Sequence, residues 1–271
     1  MNVDDGVIRF GAFLLVFSLM ALWEMMAPRR AGSQLRQRRW TTNLSLVVID
    51  AIAVRIFVPV TAIAAAEFAA AQQIGLFNLL ELPPILAAIG AFLLLDFAIW
   101  LQHLASHKIP ILWRLHSVHH ADIDIDVTTG IRFHPLEIML SMVWKVAVVI
   151  LLGAPAVAVF VFEVVLNGTA MFNHANVDIP RRFDRVLRLL VVTPDMHRVH
   201  HSVIQSETDS NYGFNLSIWD RIFRTYRAQP RAGHTQMTIG LENCQSEEPT
   251  KLGWSLLMPF RGRFMTRRQT R

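Results

Sequence analysis

A single cysteine, Cys244, stands in the 271 residues of this chain. That excludes an intrachain disulfide and any iron–sulfur cluster held by cysteines, and it is consistent with a reducing compartment. Charge is scarce as well. Charged residues make up 17% of the chain against 53% hydrophobic ones, with a mean hydropathy of +0.36, too apolar for a typical soluble enzyme. No Walker loop, GxGxxG beside a strand or GxSxG is present, so nucleotide binding and covalent acyl transfer find no support. A haem attachment motif, a flavin fingerprint and a CxxC pair are missing too, so any electrons must come from an outside donor. The net charge of +5 comes without a zinc finger or aromatic-basic interleaving, which removes the case for nucleic acid.

What the chain does hold is histidine. Ten of its eleven histidines fall between His103 and His201. They form HLASH (His103, His107), HSVHH (His116, His119, His120) and HRVHH (His197, His200, His201), with His134 and His174 standing singly between. Residues three and four apart share a helix face, so each group is expected to aim its imidazoles at one spot. A neutral imidazole nitrogen is a good ligand for iron, copper, nickel or zinc. A lone histidine is ordinarily a satisfied core residue, but clusters repeated within a hundred residues point to metal. Eight clustered histidines exceed one ordinary site and suit two ions sharing a cage.

The apolar residues come in blocks of membrane length. Residues 7–27 suffice to cross a hydrocarbon core of roughly 30 Å and, without a basic leader or a small-residue cleavage site, read as an anchor. Asp4 and Asp5 precede this block, and Arg29, Arg30, Arg36, Arg38 and Arg39 follow it. The positive-inside rule then puts the N-terminus outside and the arginines in the cytoplasm. Blocks at about 44–70 and 83–102 carry the chain out and back, delivering His103 and His107 to the cytoplasmic side. Blocks at 136–152 and 155–172, parted by Gly153, Ala154 and Pro155, form a spanning or re-entrant hairpin that returns His174 to that same face. Residues 181–192 read as an interfacial helix ended by Pro194, and the C-terminal arginines suit an anionic inner surface. The expected fold is an all-α integral-membrane bundle of about three spanning helices plus the hairpin, under a cytosolic helical cap. It forms one domain over residues 1–271, with a catalytic core at about 90–227, anchor helices at 7–70 and a basic tail at 228–271.

The chemistry narrows further. HLASH lacks the glutamate that a HExxH metalloprotease uses as general base, because position 104 is Leu. An all-imidazole two-metal site under a bilayer can reach the chain or ring of a lipid. Paired iron(II) ions with open positions can bind O2 and oxidise an unactivated carbon, and burial keeps water away from that oxidant.

The series HLASH, LWRLHSVHH, DVTTGIRFHP, NHAN, TPDMHRVHHS and NYGFNLSIWDRIF resembles the fatty acid hydroxylase and sterol desaturase superfamily of integral-membrane di-iron enzymes. The likeness covers roughly residues 90–227 and looks closest to a bacterial branch similar to alkylglycerol monooxygenase. It implies a helical membrane fold, two iron ions, O2 as co-substrate and hydroxylation of a lipid C–H bond. Zinc, which binds such sites more tightly than iron(II), is an expected replacement in purified protein. It implies His103, His107, His116, His119, His120, His197, His200 and His201 as ligands, with His174 and His134 as further ones. The implied partners are a membrane lipid and an external donor of reductase, ferredoxin or cytochrome type, and the implied location is a bacterial inner membrane. A desaturase on the same site, or a membrane metal- or haem-binding protein without catalysis, are the alternatives.

Several residues outside the ligand set invite roles. Asp96, two helical turns before His103, is expected to support an imidazole or line the pocket, with an ion pair to Arg55 as the structural alternative. Asp195 is expected to hold an imidazole N–H or to form a turn after Pro194. Asp122, Asp124 and Asp126 read as solvated loop charges, with orientation of the HSVHH helix end as the alternative, Lys145 and Glu163 as an intramembrane pair, Trp219, Asp220 and Phe223 as cap packing, and His234 as ordinary.

Overall fold

A computed structural model describes residues 3–32, 36–80 and 82–261. Among them the regular structure is helical: α1 Val3–Met26, α2 Arg36–Phe57, α3 Ala62–Ala71, α4 Leu76–Leu79, α5 Pro84–Lys108, α6 Pro110–His120, α7 Pro135–Leu152, α8 Ala156–His174, α9 Arg181–Leu187, α10 Pro194–His200, α11 Gln205–Thr208, α12 Ile218–Ile222 and α13 Leu252–Leu257. Only three isolated β-bridges interrupt this pattern. Proline sets many of the starts. Pro84, Pro110, Pro135 and Pro194 each occupy a first helical position, where the missing N–H costs nothing and φ is already helical.

Among the described residues five stretches are long and apolar enough to cross a membrane, and the protein is an integral-membrane helical protein. The second stretch is not one continuous helix. Pro59 lies in the break between α2 and α3, where a proline cannot continue the hydrogen-bond ladder. With 18 and 19 residues, α7 and α8 are each about 27–28 Å long at 1.5 Å per residue, close to a full crossing. Their tight turn needs Gly153 at φ +59, and Gly75 at φ +95 packs against it so closely that a Cβ would lie 2.2 Å from the Gly153 nitrogen.

The interior of the bundle is built from small residues. Ala62, Ala65 and Ala66 of α3, Ala91 of α5 and Ala158 of α8 are buried with Leu95, Val149 and Phe162. Small side chains let helices approach closely where lipid offers no hydrophobic drive for association. The outer faces carry large exposed apolar groups such as Leu15, Ile56, Ile85 and Leu151. Inside, Glu163 of α8 accepts ion pairs from Lys145 of α7 (2.7 Å) and Arg9 of α1 (2.5 Å), so the expected pair is a triad.

One end of the bundle collects every polar helix terminus that matters. His103 and His107 end α5, His174 ends α8, and Glu137 lies in the first turn of α7. Glu24, near the end of α1, accepts from the backbone N–H of Val127 (2.7 Å) and Asn176 (2.8 Å). Arg39, in the first turn of α2, donates to Asp122 and Asp126 at 2.7 Å each and to the carbonyl of Asp124. Asp122, Asp124 and Asp126 are therefore buried and not solvated. Their partner lies more than eighty residues upstream, so the loop alone did not reveal it. Burial pushes the Asp122 carboxyl up, but the Arg39 guanidinium outweighs it and holds the group below the usual carboxylate range.

The interfacial helix also differs from expectation. It ends at Leu187, Val191 bridges to Leu216, and Pro194 opens α10 instead of closing α9. Thr193 caps α10 through a bond from the Met196 N–H. Residues 251–260 fold back beneath α2 and α6, burying Trp254 and Met258 against Leu46 and Val118. The arginine run beyond residue 261 lies outside the described residues.

Candidate metal centre

Nine of the ten histidines singled out in the sequence converge, in two groups. Ligand atoms of His103, His107, His116, His120 and His200 lie within 4.8 Å of one another, and so do those of His119, His174, His197 and His201. All nine side chains are buried. Neither group contains a carboxylate or the cysteine.

The division does not follow the sequence clusters. At 100° per residue, positions i and i+4 lie 40° apart on a helix, whereas i+3 lies 60° to the other side. In HSVHH, His116 and His120 therefore face the five-histidine group, and His119 turns to the four-histidine group. In HRVHH, His197 and His201 face the four-histidine group and His200 crosses to the five. HSVHH and HRVHH each give a pair to one group and a single ring to the other, so the expectation of one spot per cluster is corrected for these two, whereas HLASH gives both of its rings to the five-histidine group. The groups share a wall, where His120 and His201 stack at 4.5 Å.

Backbone and carboxylate acceptors fix which ring nitrogen faces inward. The Nδ1 of His103 donates to the Tyr212 carbonyl (2.7 Å), that of His119 to Arg132 (3.1 Å), that of His174 to Ala170 (2.7 Å) and that of His200 to Ser210 (2.7 Å). His116 Nδ1 and Glu137 Oε1 share a hydrogen bond of 2.6 Å, and His107 Nδ1 lies 3.5 Å from Asp209. A carbonyl only accepts, so in His103, His119, His174 and His200 Nδ1 carries the proton and Nε2 is left as a bare lone pair. Yet the bare Nε2 atoms of His119 and His174 lie 3.1 Å apart. Two lone pairs at that distance repel unless a cation lies between them. Metal–imidazole bonds of about 2.0–2.1 Å put neighbouring ligands about 2.8–3.4 Å apart, from a right angle to a tetrahedral one at the metal, a range that includes this separation. The Nε2 atoms of His120, His200 and His201 are buried with no hydrogen-bond partner among the described residues. The residues thus fit two metal ions in nitrogen-only surroundings, a donor set suited to iron, zinc, copper or nickel.

Electrostatics agree. Burial, reinforced by neighbouring imidazoles, holds His119, His120, His197, His200 and His201 well below the usual histidine range. They are neutral, as ligands must be.

His134 stands apart from both groups. It caps α7 by accepting from the Leu136 N–H at Nδ1 (3.2 Å), and its Nε2 donates to the Leu256 carbonyl (3.2 Å). Asp96 and Asp195 also touch none of the nine rings. Asp96 accepts from Trp219 Nε1 (2.8 Å) and the Leu216 N–H (3.2 Å), tying α5 to α12, and Arg55 is not its partner. Asp195 pairs with Arg29 at 3.1 Å and with Arg198, and lies 3.5 Å from His234. Burial works against its charge, but Arg198, His234 and Arg29 hold its carboxyl below the usual range. It braces Arg198, the residue next to His197. His234 is thus buried beside Asp195. Trp219, Asp220 and Phe223 pack the cap, with Asp220 accepting from Trp100 Nε1 and from the Tyr212 and Gly213 N–H groups.

The sequence reading missed Glu137 and Arg132. Glu137 was visible only as a carboxylate at the start of an apolar helix, a placement that suggests function in a membrane. Arg132 is fully buried; its guanidinium holds the Val118 carbonyl, Asn43 and Ser255, and its own carbonyl orients His119. No sequence pattern announces that role.

A family model described as fatty acid hydroxylase matches residues 88–225, just over half of the chain. An ornithine lipid hydroxylase from Rhizobium tropici is 32% identical over 144 residues, covering 53% of this chain and 43% of that protein. The human alkylglycerol monooxygenase is 30% identical over 144 residues, covering 52% and 30%. A rat cholesterol 25-hydroxylase is 26% identical over 153 residues, covering 56% and 50%. The chain therefore spans half or less of the length of these curated relatives. No solved structure matches it.

Proposed function

This chain belongs to the fatty acid hydroxylase family, and from that premise we propose that it is a membrane-bound, O2-dependent lipid hydroxylase working on two iron ions. The observation that carries the reading is the pair of bare Nε2 lone pairs of His119 and His174, 3.1 Å apart, in a nest of buried imidazoles gathered where the apolar helices end. In the balanced reaction a lipid C–H and O2, with two electrons and two protons, give an alcohol and water. Iron held by the two histidine groups supplies the oxidant that takes hydrogen from an unactivated carbon.

The protein's own part is to hold, orient and keep dry. Carbonyls of Tyr212, Ala170, Arg132 and Ser210 lock four rings by their Nδ1 protons, which also raises the basicity of the inward nitrogens, and Glu137 holds the His116 ring at its Nδ1. Burial of all nine rings keeps bulk water out. The exposed apolar flanks of α5 and α7 let a lipid approach sideways from the bilayer. Electrons come from a separate reductase, ferredoxin or cytochrome. We assign the site to the cytoplasmic face of a bacterial inner membrane, because Arg29, Arg30 and Arg39 stand at the end of the bundle that carries the histidines.

The test is to feed labelled lipid to membranes carrying the chain, with a reductase supplied, and follow O2 uptake and product mass. The proposal expects a gain of one oxygen that disappears in His200→Ala. A loss of two hydrogens would identify a desaturase instead, and conversion by metal-free protein would overturn the reading.

A further inference from the structure

On the bilayer side of the site lies a groove of about 340 Å³, within the range of small-molecule pockets. Its floor is Leu115 of α6 with Leu136, Leu140 and Val143 of α7, and Phe260 closes one side. Positions 136, 140 and 143 form an i, i+4, i+7 stripe, so the groove follows α7 for about 10 Å at 1.5 Å per residue. Leu136, Leu140 and Val143 are exposed, which makes the groove continuous with the lipid-facing surface of α7. Its one charged lining group is Arg114, half-buried on α6 and without an acidic partner among the described residues. The groove adjoins the site through α6 and α7, since its lining residues Leu115 and Leu136 are the chain neighbours of His116 and of Glu137, which bonds His116.

We propose that this groove binds an anionic lipid drawn from the adjacent leaflet, with one alkyl chain along α7 and its anionic headgroup on Arg114. The chemistry recommends such an occupant. An apolar trough opening sideways into hydrocarbon suits a chain. A guanidinium at the polar end of the bundle offers paired N–H donors to a phosphate or carboxylate. An uncharged lipid would leave Arg114 unanswered, and a soluble anion would leave the trough empty. The inference rests on the proposed function only in naming the bound lipid as substrate. As a binding site it stands by itself.

The experiment uses the full chain in neutral maltoside micelles, titrated with oleoyl lysophosphatidylglycerol and, separately, oleoyl lysophosphatidylcholine, with binding read by native mass spectrometry. The wild-type chain is expected to hold the glycerol probe about tenfold more tightly, the scale of one charge-assisted contact. Arg114→Gln removes that preference, Arg114→Lys restores part of it, and Val143→Trp, which fills the trough, weakens both probes. Bound metal stays at the wild-type level in all three variants, because none touches a histidine of the site. Equal binding of the two probes by the wild-type chain, an undiminished preference in Arg114→Gln, or unaltered binding in Val143→Trp would overturn the inference. Product formation is followed in parallel. Oxygenated product without a probe preference removes the groove and leaves the proposed function standing, and a probe preference without product does the reverse.

Discussion

The exchange of rings between the two histidine groups predicts an outcome that a reading by sequence cluster does not. His174 and His197 both belong to the four-histidine group, so His174→Ala combined with His197→Ala leaves two rings there and all five in the other group. His116 and His119 are neighbours in HSVHH but serve different groups, so removing both leaves four rings in one group and three in the other. Loss of an outer partner of a ligand already costs about 10–100-fold in metal affinity, so loss of a direct ligand costs at least about 100-fold, or about 2.7 kcal/mol. Two ligands lost from one group then cost about 10⁴-fold, beyond recovery under mild chelation, whereas one lost from each weakens both ions about 100-fold. The assay is metal content of purified protein against rising chelator, with thermal unfolding in detergent to confirm that each variant is folded. The first pair is expected to keep one ion with wild-type resistance, and the second to keep two ions, both easily stripped. If the His116/His119 pair left one ion untouched and abolished the other, the metal sites would follow the sequence clusters and the geometry argued above would be wrong.

Three further outcomes follow from particular contacts. Glu137→Gln weakens the orientation of His116, and metal retention is expected to fall by about 10–100-fold with unfolding unchanged; retention equal to wild type in a chelator competition would remove Glu137 from the site. Glu163→Gln leaves Lys145 and Arg9 without their counter-charge inside the bundle and is expected to cost about 3–5 kcal/mol, read as a lowered melting temperature in detergent. An unchanged melting temperature would show the triad to be dispensable. Burial holds His234 neutral with its pKa lowered to about 4, so between pH 6.5 and 4 the unfolded chain binds a proton that the folded chain refuses. Stability from this group is thus lost as pH falls through that window and is flat below it. His234→Gln is expected to flatten this part of the stability profile, and a slope identical to wild type would refute the assignment.

The histidines were legible because helical periodicity and metal chemistry act on neighbouring residues. Their gathering at one end of the bundle followed from hydropathy and arginines, since each apolar block returns the chain to a known side. The partition of His119 and His200 was not read, because a three-residue and a four-residue step look alike until two helices face each other. Contacts across long separations stayed hidden for a different reason. Nothing near Asp122 and Asp126 indicates that Arg39 will neutralise them, and nothing near Asp195 indicates Arg29. His134 looked like a ligand by its type and its place in RFHP, but the first turn of α7 uses it as a cap. Asp96 stands on α5 two turns before His103, yet Trp219 reaches it from α12. Local pattern thus revealed the clustered histidines and the membrane helices, whereas the buried polar network that aims those histidines is tertiary.

The account depends most on two metal ions held by imidazole nitrogen alone. Metal analysis of the full chain from iron-rich medium, combined with X-ray absorption at the metal edge, addresses this directly. The account predicts two ions per chain, each ringed by nitrogen at about 2.0–2.1 Å with no sulfur. One ion or none, or a shell containing sulfur, would contradict it.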